Sequence, residues 1–239
     1  MSKTFYNNII ILTSQKGRDK IIEESIKTES IQNRIKNKDL ILITNGGSKE
    51  VSIQDTEYGE YVKTLNLKCA EKYTNLARKT HQSIKYCCDN FRFNRIHKAD
   101  DNKEIDESYY DFNKNDFDFQ GSQIVRRPRN RGMRRLNRQK NACRKFPSEM
   151  FSQGLKKTSK KDFKKWARIR NIDVKPWLYD EHVWYSDWKP YSLSYKFANI
   201  FAQAGQYAKF YCENLAGCED HMVGKVYKDL QLYFNLTSE

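Results

Sequence analysis

The sequence predicts an α/β protein built on one central, mostly parallel sheet, and three observations predict it. Short apolar runs at residues 8–13 and 39–44 flank a charged segment with helical spacing. That strand–helix–strand order implies a parallel pair joined by a right-handed crossover. Further on, Tyr73, Leu76, Ala77, Thr80, Ile84, Cys87 and Cys88 recur at three- and four-residue steps, which lines one face of a helix. A Phe- and Ile-rich strand follows and runs into Lys98-Ala99-Asp100-Asp101-Asn102. Open α/β sheets hold their ligands at the carboxyl ends of strands.

A chain of 239 residues can bury a sizeable core and fits one large domain or two small ones. We expect a single domain over 1–239, interrupted by a basic insertion at about 122–170. Hydrophobic residues at 38%, with 15 Tyr, 13 Phe and 4 Trp, argue against disorder. The longest aliphatic run, 9–12, is far short of the roughly twenty apolar residues of a transmembrane helix. No span or secretory signal is visible. The six cysteines (69, 87, 88, 143, 212 and 218) show no zinc spacing or CxxC pair, so reduced, buried thiols are expected, with extracellular disulfides the weaker alternative.

The net charge of +14 is concentrated in one segment. Residues 126–170 hold 18 Lys and Arg against only Glu149 and Asp162, while the remainder holds 26 basic and 28 acidic residues. Such a block reads either as a solvated insertion or as an anion-binding element for phosphate, an acidic acceptor or nucleic acid.

Taken in order, residues 8–13 form a strand buried on both faces, and 18–28, with Ile21, Ile22 and Ile26, form an amphipathic helix. The run 39–44 is a second strand, closed by the turn Asn45-Gly46-Gly47-Ser48. The aromatic alternation at 116–121 is a further strand. Trp177, Trp184 and Trp188, with Tyr179, Tyr185 and Tyr191, supply either core or a wall of rings on which a ligand stacks. Ser194 is a helix N-cap ahead of the stripe Phe197, Ile200, Phe201 and Ala204. Glu219 and Asp220 open the last helix, whose stripe is Met222, Val223, Val226, Tyr227 and Leu230. Acids there also suit the helix dipole by themselves, just as Asp-Asp-Asn after a strand is also ordinary turn chemistry.

The segment 71–80, Glu-Lys-Tyr-Thr-Asn-Leu-Ala-Arg-Lys-Thr, resembles the Asp-x-Tyr-x-Asn-Leu-Thr-x-Lys-Thr motif of the β1,3-galactosyltransferase and Fringe superfamily. In that family the next strand ends in Lys-x-Asp-Asp-Asp, the metal-binding DxD motif. Lys98, Asp100, Asp101 and Asn102 occupy the place here, with Asn for the last Asp, which keeps an oxygen ligand and removes a charge. Glu57-Tyr58-Gly59-Glu60 with 61–67 resembles the family stretch in which Tyr-Gly-Asp opens a strand, which implies a strand over 61–67, and Arg18, Ile22, Glu24 and Ser25 answer loosely to an earlier segment. Trp188-Lys189-Pro190-Tyr191-Ser192-Leu193-Ser194 stands where the family has a glycine-rich Tyr-Pro-x-Tyr segment and lacks its glycines. Cys218-Glu219-Asp220-His221-Met222-Val223-Gly224 resembles the family's Glu-Asp-Val-x-x-Gly, in which an acid is the catalytic base.

The resemblance implies a GT-A glycosyltransferase fold, a Rossmann-like sheet with helices on both sides. It implies inverting transfer of a sugar from a UDP-sugar to an acceptor hydroxyl of a glycan or glycoprotein, with a β1,3 linkage. Carried over residue by residue, Asp220 is the general base and Glu219 is braced beside it against backbone or an Arg. Asp100, Asp101 and Asn102 are ligands of Mn2+ or Mg2+, and Lys98, Asp100, Asp101, Arg18 and Lys79 contact the donor. Golgi members of the family carry an N-terminal anchor. The expectation here is a soluble cytoplasmic form, with the Golgi or ER lumen the alternative for a trimmed chain. Two rivals remain: a nucleic-acid-binding protein acting through 126–170, against which stands the lack of any zinc, helix-turn-helix or RRM signature, and a degenerate transferase that binds sugar nucleotide without turnover.

Overall fold

The computed structural model describes residues 3–13, 18–71, 75–100, 117–121, 124–127, 183–186, 191–203 and 219–237. In chain order the strands are β1 (Thr4–Thr13), β2 (Leu40–Asn45), β3 (Ser52–Asp55), β4 (Val62–Asn66), β5 (Phe91–Asp100), β6 (Phe119–Gly121), β7 (Ile124–Arg127), β8 (Val183–Ser186) and β9 (Tyr191–Ser194). The helices are α1 (Arg18–Ile21), α2 (Glu29–Lys36), α3 (Leu76–Asn90), α4 (Tyr195–Gln203) and α5 (Glu219–Phe234).

Seven strands form one mixed sheet in the order β3-β4-β2-β1-β5-β9-β6. The four central strands are parallel, whereas β3 is antiparallel to β4, and β9 is antiparallel to both β5 and β6. The fold is therefore α/β, parallel at its centre and mixed at its margins. β7 and β8 pair antiparallel as a separate two-stranded sheet, and β8 lies along α5. That places Arg126 and Arg127, at the start of the basic segment, in a strand beside Trp184 and Val183; residues 128–170 of that segment lie outside the described residues.

Two apolar layers sandwich the sheet. On one face Ile9, Ile11, Leu40, Leu42, Leu65 and Ile96 meet α3, α4 and α5. On the other, Ile10, Leu12, Ile41, Ile43, Val62 and Ala99 meet Ile21, Ile26 and Ile31. Because successive strand side chains alternate between faces, the unbroken Ile9–Leu12 run serves both layers, as a doubly covered strand requires.

Several boundaries differ from expectation for visible reasons. β1 begins at Thr4, earlier than its apolar run, because its polar first half pairs in register with β5. The helix expected over 18–28 is one α-turn that widens into a π-helical turn at Ile22–Ile26, and a second helix, α2, follows. Only Ile31 and Arg34 of α2 are buried, too few for a legible stripe. α3 starts at Leu76, so Glu71 lies ahead of the helix. Ser194 caps α4 as expected, accepting from the Phe197 amide at 3.1 Å. Its hydroxyl in turn donates to Asp118 at 2.6 Å. Cys69, Cys87 and Cys88 are buried free thiols; the other three cysteines lie outside the described residues. No helix among the described residues is long and apolar enough to cross a membrane.

Candidate functional site

The strand order reverses between β1 and β5. The chain moves from β1 outward to β2 and β4, then returns through α3 to place β5 on the opposite side of β1. Such a switch point opens a crevice at the carboxyl ends of the two strands. Here those ends are Thr13 and Asp100, which are direct register partners.

The neighbouring gap, between β2 and β4, is sealed. The Leu67 amide donates to the Asn45 carbonyl at 2.7 Å, Gly47 to Cys69 at 2.7 Å and Ser48 to Leu67 at 3.2 Å. Asn45 and Asn66, the last residues of the two strands, share a side-chain hydrogen bond of 3.0 Å. The Gly46 amide donates to one carboxylate oxygen of Glu71, and the Lys79 ammonium donates to the other. A Cβ on Gly46 would sit 2.4 Å from the Cys69 carbonyl oxygen, so only glycine permits this approach.

Lys79, expected to contact the donor, is fully buried on the inner face of α3 with its ammonium on Glu71. Lysine in a helix normally reads as exposed, and this one is buried because its partner is delivered by the loop before the helix. A lysine so placed needs an anion beside it.

Lys98 has the same character. It points from β5 into the layer under α5, 2% exposed, and its ammonium lies 3.1 Å from the carboxylate of Glu219. Glu219 opens α5, so a strand and a helix start 121 residues apart are joined by one buried ion pair. Glu219, expected to be braced by backbone or an Arg, is engaged by the ammonium of Lys98. β5 carries a Lys at the position facing α5, whereas Arg95 lies on the opposite face. There Arg95 donates to the Ser192 hydroxyl and the Phe117 carbonyl, each at 2.7 Å. Breaking one partner of a buried pair typically costs about 3–5 kcal/mol, because the other charge is left stranded. Asp220 follows Glu219 in the first turn of α5 and is half-buried.

Of the other expected site residues, Asp100 is the last residue of β5 and Arg18 the first of α1. Asp101 and Asn102 lie outside the described residues. Among the described residues no three His, Cys, Asp or Glu side chains cluster as a metal site. His97, beside Lys98, faces the other layer, and burial first, then Arg95 and Arg34, hold its imidazole well below the ordinary range.

The structure therefore brings Lys98 together with Glu219, and through them the end of β5 with the start of α5. It sets Lys79 apart, in the sealed gap. Glu71 and Gly46 were missed as a pair from sequence, although the Gly46-Gly47 turn was the signal that the chain passes close to another backbone there. No protein-family model matches the chain, and no curated protein matches it either.

Proposed function

We infer that the chain is an inverting glycosyltransferase of GT-A-like fold, a single domain over 1–239 with a basic insertion at about 122–170. Its reaction moves a sugar from a UDP-sugar to an acceptor hydroxyl. The observation that carries this reading is the Lys98–Glu219 pair, which ties the acidic helix start at 219–220 to the strand ending in Asp100. Two acidic elements, remote in sequence, thereby flank one crevice at the switch point of the sheet.

Three oxygen donors in succession, Asp100, Asp101 and Asn102, suit a hard divalent cation such as Mn2+ or Mg2+. When bound, that ion offsets the charge of the departing diphosphate. Asp220 takes the proton of the acceptor hydroxyl as its oxygen bonds to the anomeric carbon and the carbon–oxygen bond to the diphosphate breaks. The dipole at the α5 N-terminus favours negative charge at this place. Neighbouring residues on a helix diverge by about 100°, so with Glu219 engaged by Lys98, Asp220 is the acid left to serve the acceptor in this reading.

Thermal melts with UDP, with and without Mn2+, followed by a screen for UDP release across UDP-sugars, test this reading. A metal-dependent rise in melting temperature is expected, because a ligand of the native state stabilises it. No shift in the wild type under either condition would sink it. The charge of residues 126–170 favours a second reading, nucleic-acid binding. That one predicts RNA or DNA affinity falling by roughly one log unit per log unit of salt for each phosphate neutralised.

A further inference from the structure

We propose that Lys98 and Glu219 act together as a positioning couple for Asp220, so that Lys98 serves the reaction through the helix start and not by touching the donor. This rests on the function inferred above and adds a role for a residue that the sequence placed among the donor contacts.

Three features carry it. The Lys98 ammonium is buried and engaged by Glu219 at 3.1 Å. Glu219 is the first residue of α5, so whatever fixes its carboxylate also fixes the rotation and height of the first turn, where Asp220 sits. Below that turn, Met222, Val223, Val226 and Tyr227 are buried in the layer shared with β5 and α4. Apolar packing of this kind sets where the helix axis lies, but it is not directional and permits small slides along the axis. A buried ion pair is directional and short-ranged, and supplies the missing constraint. Lys98 lies two residues before Asp100, so the strand that ends in Asp100 is the strand that holds the start of α5. The distance between the two acidic elements is then set within a few residues, independent of the intervening chain. Displacement of a catalytic group by about 1 Å can cost on the order of a hundredfold in rate.

The test uses the full chain with Lys98→Met, Glu219→Gln and the conservative Lys98→Arg, each assayed well below its melting temperature. The readouts are kcat and KM for the donor and the UDP-induced melting shift. Lys98→Met and Glu219→Gln are expected to lower kcat by about ten- to a hundredfold, with KM and the UDP shift unchanged, and Lys98→Arg to recover most of the loss. Loss of the UDP shift in Lys98→Met would instead make Lys98 a donor contact and overturn the proposal. So would an unchanged kcat. Should Lys98→Met fail to fold, Glu219→Gln, which keeps shape and an acceptor oxygen, gives the same decision.

A wild type that neither transfers sugar nor responds to UDP overturns the reading of the function itself, and with it the couple's part in transfer. Hydrogen exchange separates the two failures. Faster exchange at the amides of Met222, Val223 and Val226 in Lys98→Met, with β1 and β2 unchanged, supports the positioning of α5 by the pair. Unchanged exchange there overturns it.

Discussion

Thr13 and Asp100, the final residues of two adjacent parallel strands, are register partners. Strands β1 and β5 therefore end level with one another, and the chain leaves both at one edge of the sheet. On the function proposed above, a substitution at this edge bears on ligand binding more than on folding, and that separates the expected effects below.

Asp220→Asn should abolish transfer, lowering kcat by about 10²–10⁴ as loss of a general base does, while the UDP-induced melting shift survives. Asp100→Ala should lose both. Paired assays of UDP release and thermal melting check this; retention of transfer by Asp220→Asn with loss in Glu219→Gln would exchange the roles of the two acids.

Gly46→Ala should destabilise the fold by about 1–3 kcal/mol, the usual range for forcing an extra carbon into a closed space. The obstruction is backbone, the Cys69 carbonyl, which cannot rotate away. The Lys79–Glu71 pair should respond asymmetrically. Glu71→Ala takes the carboxylate away from a fully buried ammonium and should cost about 3 kcal/mol. Lys79→Met leaves a carboxylate that is 25% exposed and still accepts from Gly46, so its cost should be smaller. Urea midpoints of the three variants rank these effects.

Stability should fall as pH is lowered from about 6.5 to about 4. The His81 imidazole is pushed down to about 4, chiefly by burial and further by Lys85, against the opposing effect of its bond to the Ala202 backbone. In the unfolded chain it takes up a proton near its ordinary value of about 6.5. The unfolded state thus binds more protons across this window. The stabilisation is complete above it and is lost as pH falls through the folded value. A gap of this size is worth roughly 3 kcal/mol. His97, also held neutral, acts in the same direction. His81→Gln, which keeps a donor for Ala202 without titrating, should flatten the pH dependence of the denaturation midpoint; an identical slope would show that His81 contributes nothing.

Native Cys69, Cys87 and Cys88 should resist alkylation at pH 8 and react fully once the chain is unfolded. Burial raises all three thiols, with Cys88 pushed up to about 12, so the reactive thiolate is scarce. Peptide mapping after iodoacetamide treatment checks this, and rapid labelling of Cys87 in the native chain would contradict its burial.

What the sequence reveals of this fold follows from how local each cause is. The Ile9–Leu12 run and the α3 stripe declare themselves because one element alone sets their pattern. Helix α2 and the short β3, Ser-Ile-Gln-Asp, stay hidden because each buries too little to leave a period. The acidic start of α5 is legible as a helix terminus. Its attachment to Lys98 is not, since that contact exists only once β5, α4 and α5 share a layer. Lys79 is hidden for the same reason: its burial depends on Glu71, whose position is set by the β2–β4 loops.

The placement of β9 has a consequence for how the chain assembles during synthesis. β9 is inserted between β5 and β6, although it is made after both. β6 is further held by the Thr237 carbonyl, which accepts from the amides of Asp118 and Phe119 at 2.9 and 3.0 Å. A nascent chain can join β4, β2, β1 and β5 once Asp100 has left the ribosome, since every partner is already present. β6 emerges next with no neighbour to pair with and must wait some seventy residues for β9. Long-range pairing of this kind is slow and leaves a strand edge exposed meanwhile. Translation would then yield an early parallel nucleus and a late margin, and the Lys98–Glu219 pair would close only after α5 has been made.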